Sequence, residues 1–231
     1  MSELADTAHD GAVHHPGLEH HFDSYDQQRE SATLGMWAFI VQEILFFGGL
    51  FAVYAVYRRW FPLEFAAGSH HLDITLGAFN TAVLIASSLT MALAVRSAQI
   101  GKRKPLLLFL ALTILLGSVF LGVKVVEYHE KYVSHHIPIE SFQFETVDHH
   151  GNPLVPNHAR IFFGLYFAMT GLHALHMIIG IGILFWLMWH ARRGRFTPEN
   201  HNYVEGTGLY WHFVDIVWIF LFPMLYLIGR I

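Results

Sequence analysis

Cysteine is absent from the 231 residues. That excludes disulfides, thiolate catalysis and Cys-ligated iron–sulfur clusters. Charge is scarce as well: Asp, Glu, Lys and Arg make up 14% of the chain, against about a quarter in an ordinary soluble domain. The net charge is -4, which gives no electrostatic footprint for nucleic acid. The first 33 residues are polar, acidic and rich in His, without the apolar core of a cleavable signal. No internal repeat, and no paired interrupted helices of the transporter kind, can be found.

Apolar residues are abundant, at 54% with a mean hydropathy of +0.39. They gather in five runs, about 34–57, 72–95, 106–128, 161–190 and 209–229. Each is long enough to cross a bilayer, which takes about 20 apolar residues. None alternates like a strand, so the spans are read as helices. The predicted fold class is an all-α integral membrane protein, a five-helix transmembrane bundle over 31–231 behind a polar His-rich tail over 1–30. Turn signals separate the runs: Pro62 and Gly68, Gly101 and Pro105, Gly151-Asn152-Pro153, and Gly194 and Pro198. Pro223 falls inside the last run and predicts a kink.

Basic residues set the orientation. With five spans, the N-terminus and the 96–105 and 190–208 loops share a side. It carries Arg29, Arg96, Lys102, Arg103, Lys104, Arg192, Arg193 and Arg195. The opposite side carries Arg58, Arg59, Lys131, Arg160 and Arg230. The excess places the N-terminus in the cytoplasm.

Polar residues within the runs are the candidates for chemistry. Glu43 lies about ten residues into the first run, roughly 14 Å along a helix. A charge that deep is costly, so the carboxyl is expected to be protonated or paired inside the bundle. His173 and His176, at i and i+3 on one face, fall at comparable depth and are candidate partners. Imidazoles in a bundle can bind haem or a metal. Two on one face of one helix suit bis-His haem poorly, and no second Glu-x-x-His helix completes a di-metal site. Interhelical hydrogen bonding is the preferred role. His212 and Asp215, again i and i+3, read as a pair holding helix register or moving protons. Lys124 and Glu127 read as a pair near the outer end of the third span, with no chemistry assigned. Ala78, Ala82, Ala86 and Thr90 recur every four residues and read as a helix-packing stripe.

Five ordered segments carry a resemblance: WAFIVQEILFFGGLF, FNTAVLIASSLT, LGVKVVEYHEKY, FFGLYFAMTGLHALHMIIG and VEGTGLYWHFVDIVWIFLF. They are similar to subunit III of the haem-copper cytochrome c oxidases, over about residues 30–230. The likeness is to the five-helix bacterial form. In the seven-span form two further helices enclose a lipid-filled cleft, which this chain alone does not form. The resemblance implies an accessory subunit with no redox centre of its own, in a proton-pumping complex of the bacterial cytoplasmic membrane that reduces oxygen to water. Haems and copper are expected in partner subunits I and II, and bound phospholipid on this chain. A further small subunit or a respiratory supercomplex would be an additional partner. The implied role is to pack on subunit I, protect it during turnover and support proton uptake. Glu43 matches the intramembrane Glu that reacts with carbodiimides in the family. A quinol-oxidase subunit III is the alternative, and behind it a haem-binding membrane cytochrome or an independent proton-coupled transporter. His9, His14, His15, His20 and His21 of the tail suggest a proton-collecting stretch, or simply a solvated one.

Overall fold

In a computed structural model, residues 22–138, 142–144, 146–147, 153–198 and 200–230 are described. The tail histidines His9 to His21, and Gly151 and Asn152, lie outside them. Five long helices carry the spans: α1 (Tyr25–Trp60), α3 (Ile74–Gln99), α4 (Arg103–Val133), α5 (Pro156–Arg192) and α6 (Asn202–Phe222). A short sixth helix, α2 (Pro62–His70), follows α1.

Local chemistry sets the ends. Ser24 caps α1 by accepting from the Gln27 amide, and the Gln27 side chain reaches back to the Asp23 amide. This resembles a capping box, with the returning side chain bonded to the amide one residue before the cap. Because α1 begins at Tyr25, the segment assigned to the tail over 25–30 is helical. Asp73 caps α3 through the amides of Thr75 and Leu76. Pro62 and Pro156 open α2 and α5, where a missing N–H costs nothing. Pro62 therefore starts a helix where the sequence suggested only a turn. Gly101 and Gly194 end α3 and α5 with φ of +69° and +72°, the left-handed conformation that glycine takes without penalty.

The helices α3, α4, α5 and α6 close a ring, each packed on the next, with α6 returning to α3. α1 lies outside the ring, in the groove between α5 and α6. Its buried residues, Ile40, Glu43, Phe47 and Tyr54, form one narrow stripe at i, i+3, i+7 and i+14. Much of the remaining apolar surface of α1, including Leu34, Val41 and Leu45, is exposed, as lipid contact requires. α2 lies across one end, against α5 and the C-terminal residues.

Trp211 and Trp218 of α6 fill the centre of the ring and are fully buried. Trp211 fits because glycines face it from two helices. A Cβ on Gly117 would stand 2.9 Å from the indole, and one on Gly180 3.0 Å. Close approach thus depends on glycines scattered over several helices. The Ala78, Ala82 and Ala86 stripe does not pack within this chain: all three residues are exposed on the outer face of α3. Only Thr90 reaches a neighbour, sharing a 2.8 Å hydrogen bond with Thr113 of α4.

At Pro223 the α6 ladder breaks into a π turn, Pro223–Leu227, and a final 3-10 turn, Ile228–Arg230. The ring nitrogen of proline cannot donate, so the regular bonding is interrupted there. Side chains stabilise the segment instead. Tyr54 donates to the Met224 carbonyl (2.8 Å) and Arg58 to the Ile228 carbonyl (2.7 Å).

Candidate functional site: polar groups inside the bundle

Glu43 sits near the middle of α1, and His176 near the middle of α5. His176 Nε2 and Glu43 Oε2 are 3.3 Å apart. The alignment is off that of a hydrogen bond, and Oε2 has no other partner. The other ring nitrogen, Nδ1, is 2.8 Å from the Leu172 carbonyl. A carbonyl only accepts, so Nδ1 carries a hydrogen. Nε2 is the ring atom left to face the Glu43 carboxyl. Phe47 lies edge-on to the imidazole and Tyr210 donates to the His176 carbonyl (2.8 Å), which fixes the ring on the α1 side of α5.

His173 points the other way, into the ring, between Phe120 and Trp218. Neither of its nitrogens has a hydrogen-bond partner. The two imidazoles that share a helix face in the sequence thus meet different surroundings.

Four side chains nearer the α2 end form a closed cluster that the sequence left without a role. Lys124 Nζ donates to Glu127 Oε2 (2.8 Å) and to the Tyr226 hydroxyl (2.7 Å). Glu127 Oε1 accepts from Tyr166 (2.9 Å) and from Tyr226. The ammonium also lies 4.6 Å from the centre of the Trp218 ring, a cation–π contact. All four residues are buried, and each charged atom has its partners. The Lys124–Glu127 spacing was visible in the sequence. The tyrosines come from α5 and from the π turn, 39 and 99 residues beyond Glu127.

His212 and Asp215 are not bonded to each other. His212 Nδ1 pairs with Ser88 of α3 at 2.7 Å. Asp215 is 3% exposed, and neither of its oxygens has a hydrogen-bond partner. Ser88 stands near both groups: when His212 Nδ1 carries the hydrogen and donates to Ser88 Oγ, the hydroxyl hydrogen is left to serve Asp215. These three residues lie in a cleft of about 410 Å³ between α3 and α6, otherwise walled by Leu84, Ile85, Leu89, Ala92, Ile216 and Ile219.

Among the described residues, no three His, Asp or Glu side chains converge as a metal site would require. His173 is packed between two aromatic rings, and His176 has Nδ1 bonded to its own helix.

Comparison with known proteins agrees with this architecture. The family described as cytochrome c oxidase subunit III matches residues 18–230. The chain is 31% identical over 229 residues to cytochrome c oxidase subunit 3 of Thermostichus vulcanus, covering 95% of this chain and 98% of the relative. It is 28% identical over 231 residues to cytochrome bo(3) ubiquinol oxidase subunit 3 of Pseudomonas aeruginosa, covering both chains completely. Against cytochrome c oxidase subunit 3 of Gallus gallus the identity is 32% over 204 residues, covering 84% of this chain and 69% of the relative. Five membrane-crossing helices in the expected order, joined to a match over nearly the whole length, place this multi-pass membrane protein in the cytochrome c oxidase subunit III family.

Proposed function

We propose that this chain is the cofactor-free accessory subunit of a proton-pumping haem-copper oxidase in a bacterial cytoplasmic membrane, with its N-terminus in the cytoplasm. It packs on the catalytic subunit, stabilises it and supports proton uptake. Redox chemistry belongs to subunits I and II. The observation that carries this reading is how the buried polar groups are used. Lys124, Glu127, Tyr166 and Tyr226 saturate one another across α4, α5 and the C-terminal turn, and Glu43 with His176 ties α1 to α5. Such groups hold helices together. The excess of Lys and Arg on the side of the N-terminus supports the orientation.

The test is purification of the tagged chain from its native membrane. Haem-bearing and copper-bearing polypeptides are expected to accompany it, and the chain stripped of them should show no Soret band. A Soret band in the stripped chain would favour the membrane cytochrome instead. The full-length match to a ubiquinol oxidase subunit keeps quinol as a second donor beside cytochrome c. A co-purifying subunit with a dinuclear copper centre decides for cytochrome c. For the tail, deletion of residues 1–22 that left turnover and its pH dependence unchanged would dispose of proton collection by His9 to His21.

A further inference from the structure

A cleft of about 800 Å³ opens between the polar start of α1 and the start of α6, away from the buried groups described above. Phe22, Arg29 and Met36 line it from one side, and Asn202, Glu205 and Leu209 from the other. Its two ends differ in chemistry. At the membrane end Met36 reaches α6, where a Cβ added to Gly206 would stand 3.4 Å from its methyl group. At the other end the charges are unequal. Glu205 is already engaged, accepting from Gln99 (2.8 Å) and standing 3.1 Å from His201 Nε2. Arg29 makes no ion pair with the described residues. Asp26 and Glu30, its acidic neighbours on α1, do not line the cleft. The cleft thus offers an apolar floor and one uncompensated cation.

The chain itself carries the complement. Residues 1–21 lie outside the described residues and lead into Phe22, which lines the cleft. They include Glu3, Asp6, Asp10 and Glu19, and no Lys or Arg. Consecutive α-carbons are about 3.8 Å apart, so those of Glu19 and Leu18 fall within about 11 and 15 Å of the Phe22 α-carbon. A carboxylate and an apolar side chain are therefore tethered beside a cation and an apolar floor. A tether this short gives an effective concentration on the order of millimolar, which a partner arriving from solution has to exceed.

We infer that this cleft is the docking site of the chain's own N-terminal segment, with Leu18 on the floor made by Met36 and Leu209 and Glu19 paired with Arg29. The contact fastens the tail to α1 and α6. It does not depend on which subunits accompany the chain, nor on whether the tail histidines collect protons.

The lack of cysteine makes the test direct, because every introduced thiol is unique within the chain. Leu18→Cys is combined with Met36→Cys, or with Leu34→Cys as the control, in the full chain in its native membrane. Leu34 is two residues from Met36, exposed, and lines no part of the cleft. Under a mild oxidant the Met36 pair should close an intrachain disulfide about tenfold faster than the Leu34 pair, since docking concentrates the segment on one face. Equal rates, or a disulfide joining two copies of the chain, would overturn the docking. Deleting residues 1–21 should raise maleimide labelling of Thr33→Cys, inside the cleft, several-fold. Labelling that the deletion leaves unchanged, as when a lipid or another polypeptide covers the cleft, would overturn it as well. Arg29→Glu should slow the Met36 disulfide about two- to fivefold, the range of one exposed ion pair. Adding Glu19→Lys should restore the rate. A rate indifferent to Arg29→Glu would overturn the role given to that cation.

Discussion

The Lys124 cluster and the Glu43 pair both bury a carboxylic acid among membrane helices, yet they are finished to different degrees. Around Glu127, one ammonium and two phenols account for every charged atom, and an indole face lies beside the ammonium. Around Glu43 there is one imidazole at 3.3 Å, poorly aligned, and one oxygen without a partner. The first is a closed assembly inside the ring. The second joins the ring to a helix that touches it along one stripe. The difference separates what the fold requires from what it tolerates. A charge pair held in the core must be fully satisfied. A group at the edge is held by fewer partners.

Breaking the closed cluster should produce the largest effect. Lys124→Met leaves Glu127 buried without its cation, at a cost of about 3–5 kcal/mol. Thermal unfolding in detergent, followed by loss of helical signal, would show it. Adding Glu127→Leu should return only part of that stability: it removes the stranded charge but leaves the Tyr166 and Tyr226 hydroxyls without their acceptor. Tyr226→Phe keeps the ring and deletes the hydroxyl that bridges Lys124 and Glu127, for about 1.5–3 kcal/mol by the same measurement. Gly180→Val tests packing without charge: the added atoms meet Trp211 and Tyr210, at an expected cost of about 1–3 kcal/mol. The smallest effect belongs to the open pair. Glu43→Gln should retain assembly and most oxygen reduction, with a stability change under about 1 kcal/mol, because Gln still donates and accepts. Loss of all turnover in an assembled Glu43→Gln complex would reverse the contrast and make the edge pair the essential one.

The five spans were legible because a bilayer sets a minimum apolar length, and each run meets it. Their ends were less legible. The first helix extends back to Tyr25 through polar residues such as Gln27, Arg29 and Glu30, which no apolar window includes. Helix α2 was hidden because Pro62 and Gly68 usually signal turns, whereas proline at the first helical position favours a helix. Depth along the helices was enough to nominate His176 as a neighbour of Glu43. It could not rank His176 over His173, since which side of α5 meets α1 is decided by tertiary packing. The same reason leaves the alanine stripe outside: spacing shows that small residues share a face, but not what covers it. The Lys124 cluster was missed because its value lies in Tyr166 and Tyr226, which the chain returns only after long detours. The sequence paired His212 with Asp215 at i and i+3, but Ser88, from another helix, takes the imidazole.

The hydrogen bond from Tyr226 to Glu127 also bears on how the protein is made. Glu127 precedes Tyr226 by 99 residues, which at a synthesis rate of about 5–20 residues per second is roughly 5–20 s of translation. Through that interval the fourth helix is inserted with its charged pair incomplete, while two more spans are still to follow. Lys124 and Glu127, at i and i+3, can hold each other in the meantime, so a newborn helix enters the bilayer neutral as a unit. The π turn then arrives as a latch. A released chain that ends just before Tyr226 should keep its five helices yet be an early substrate for membrane proteases.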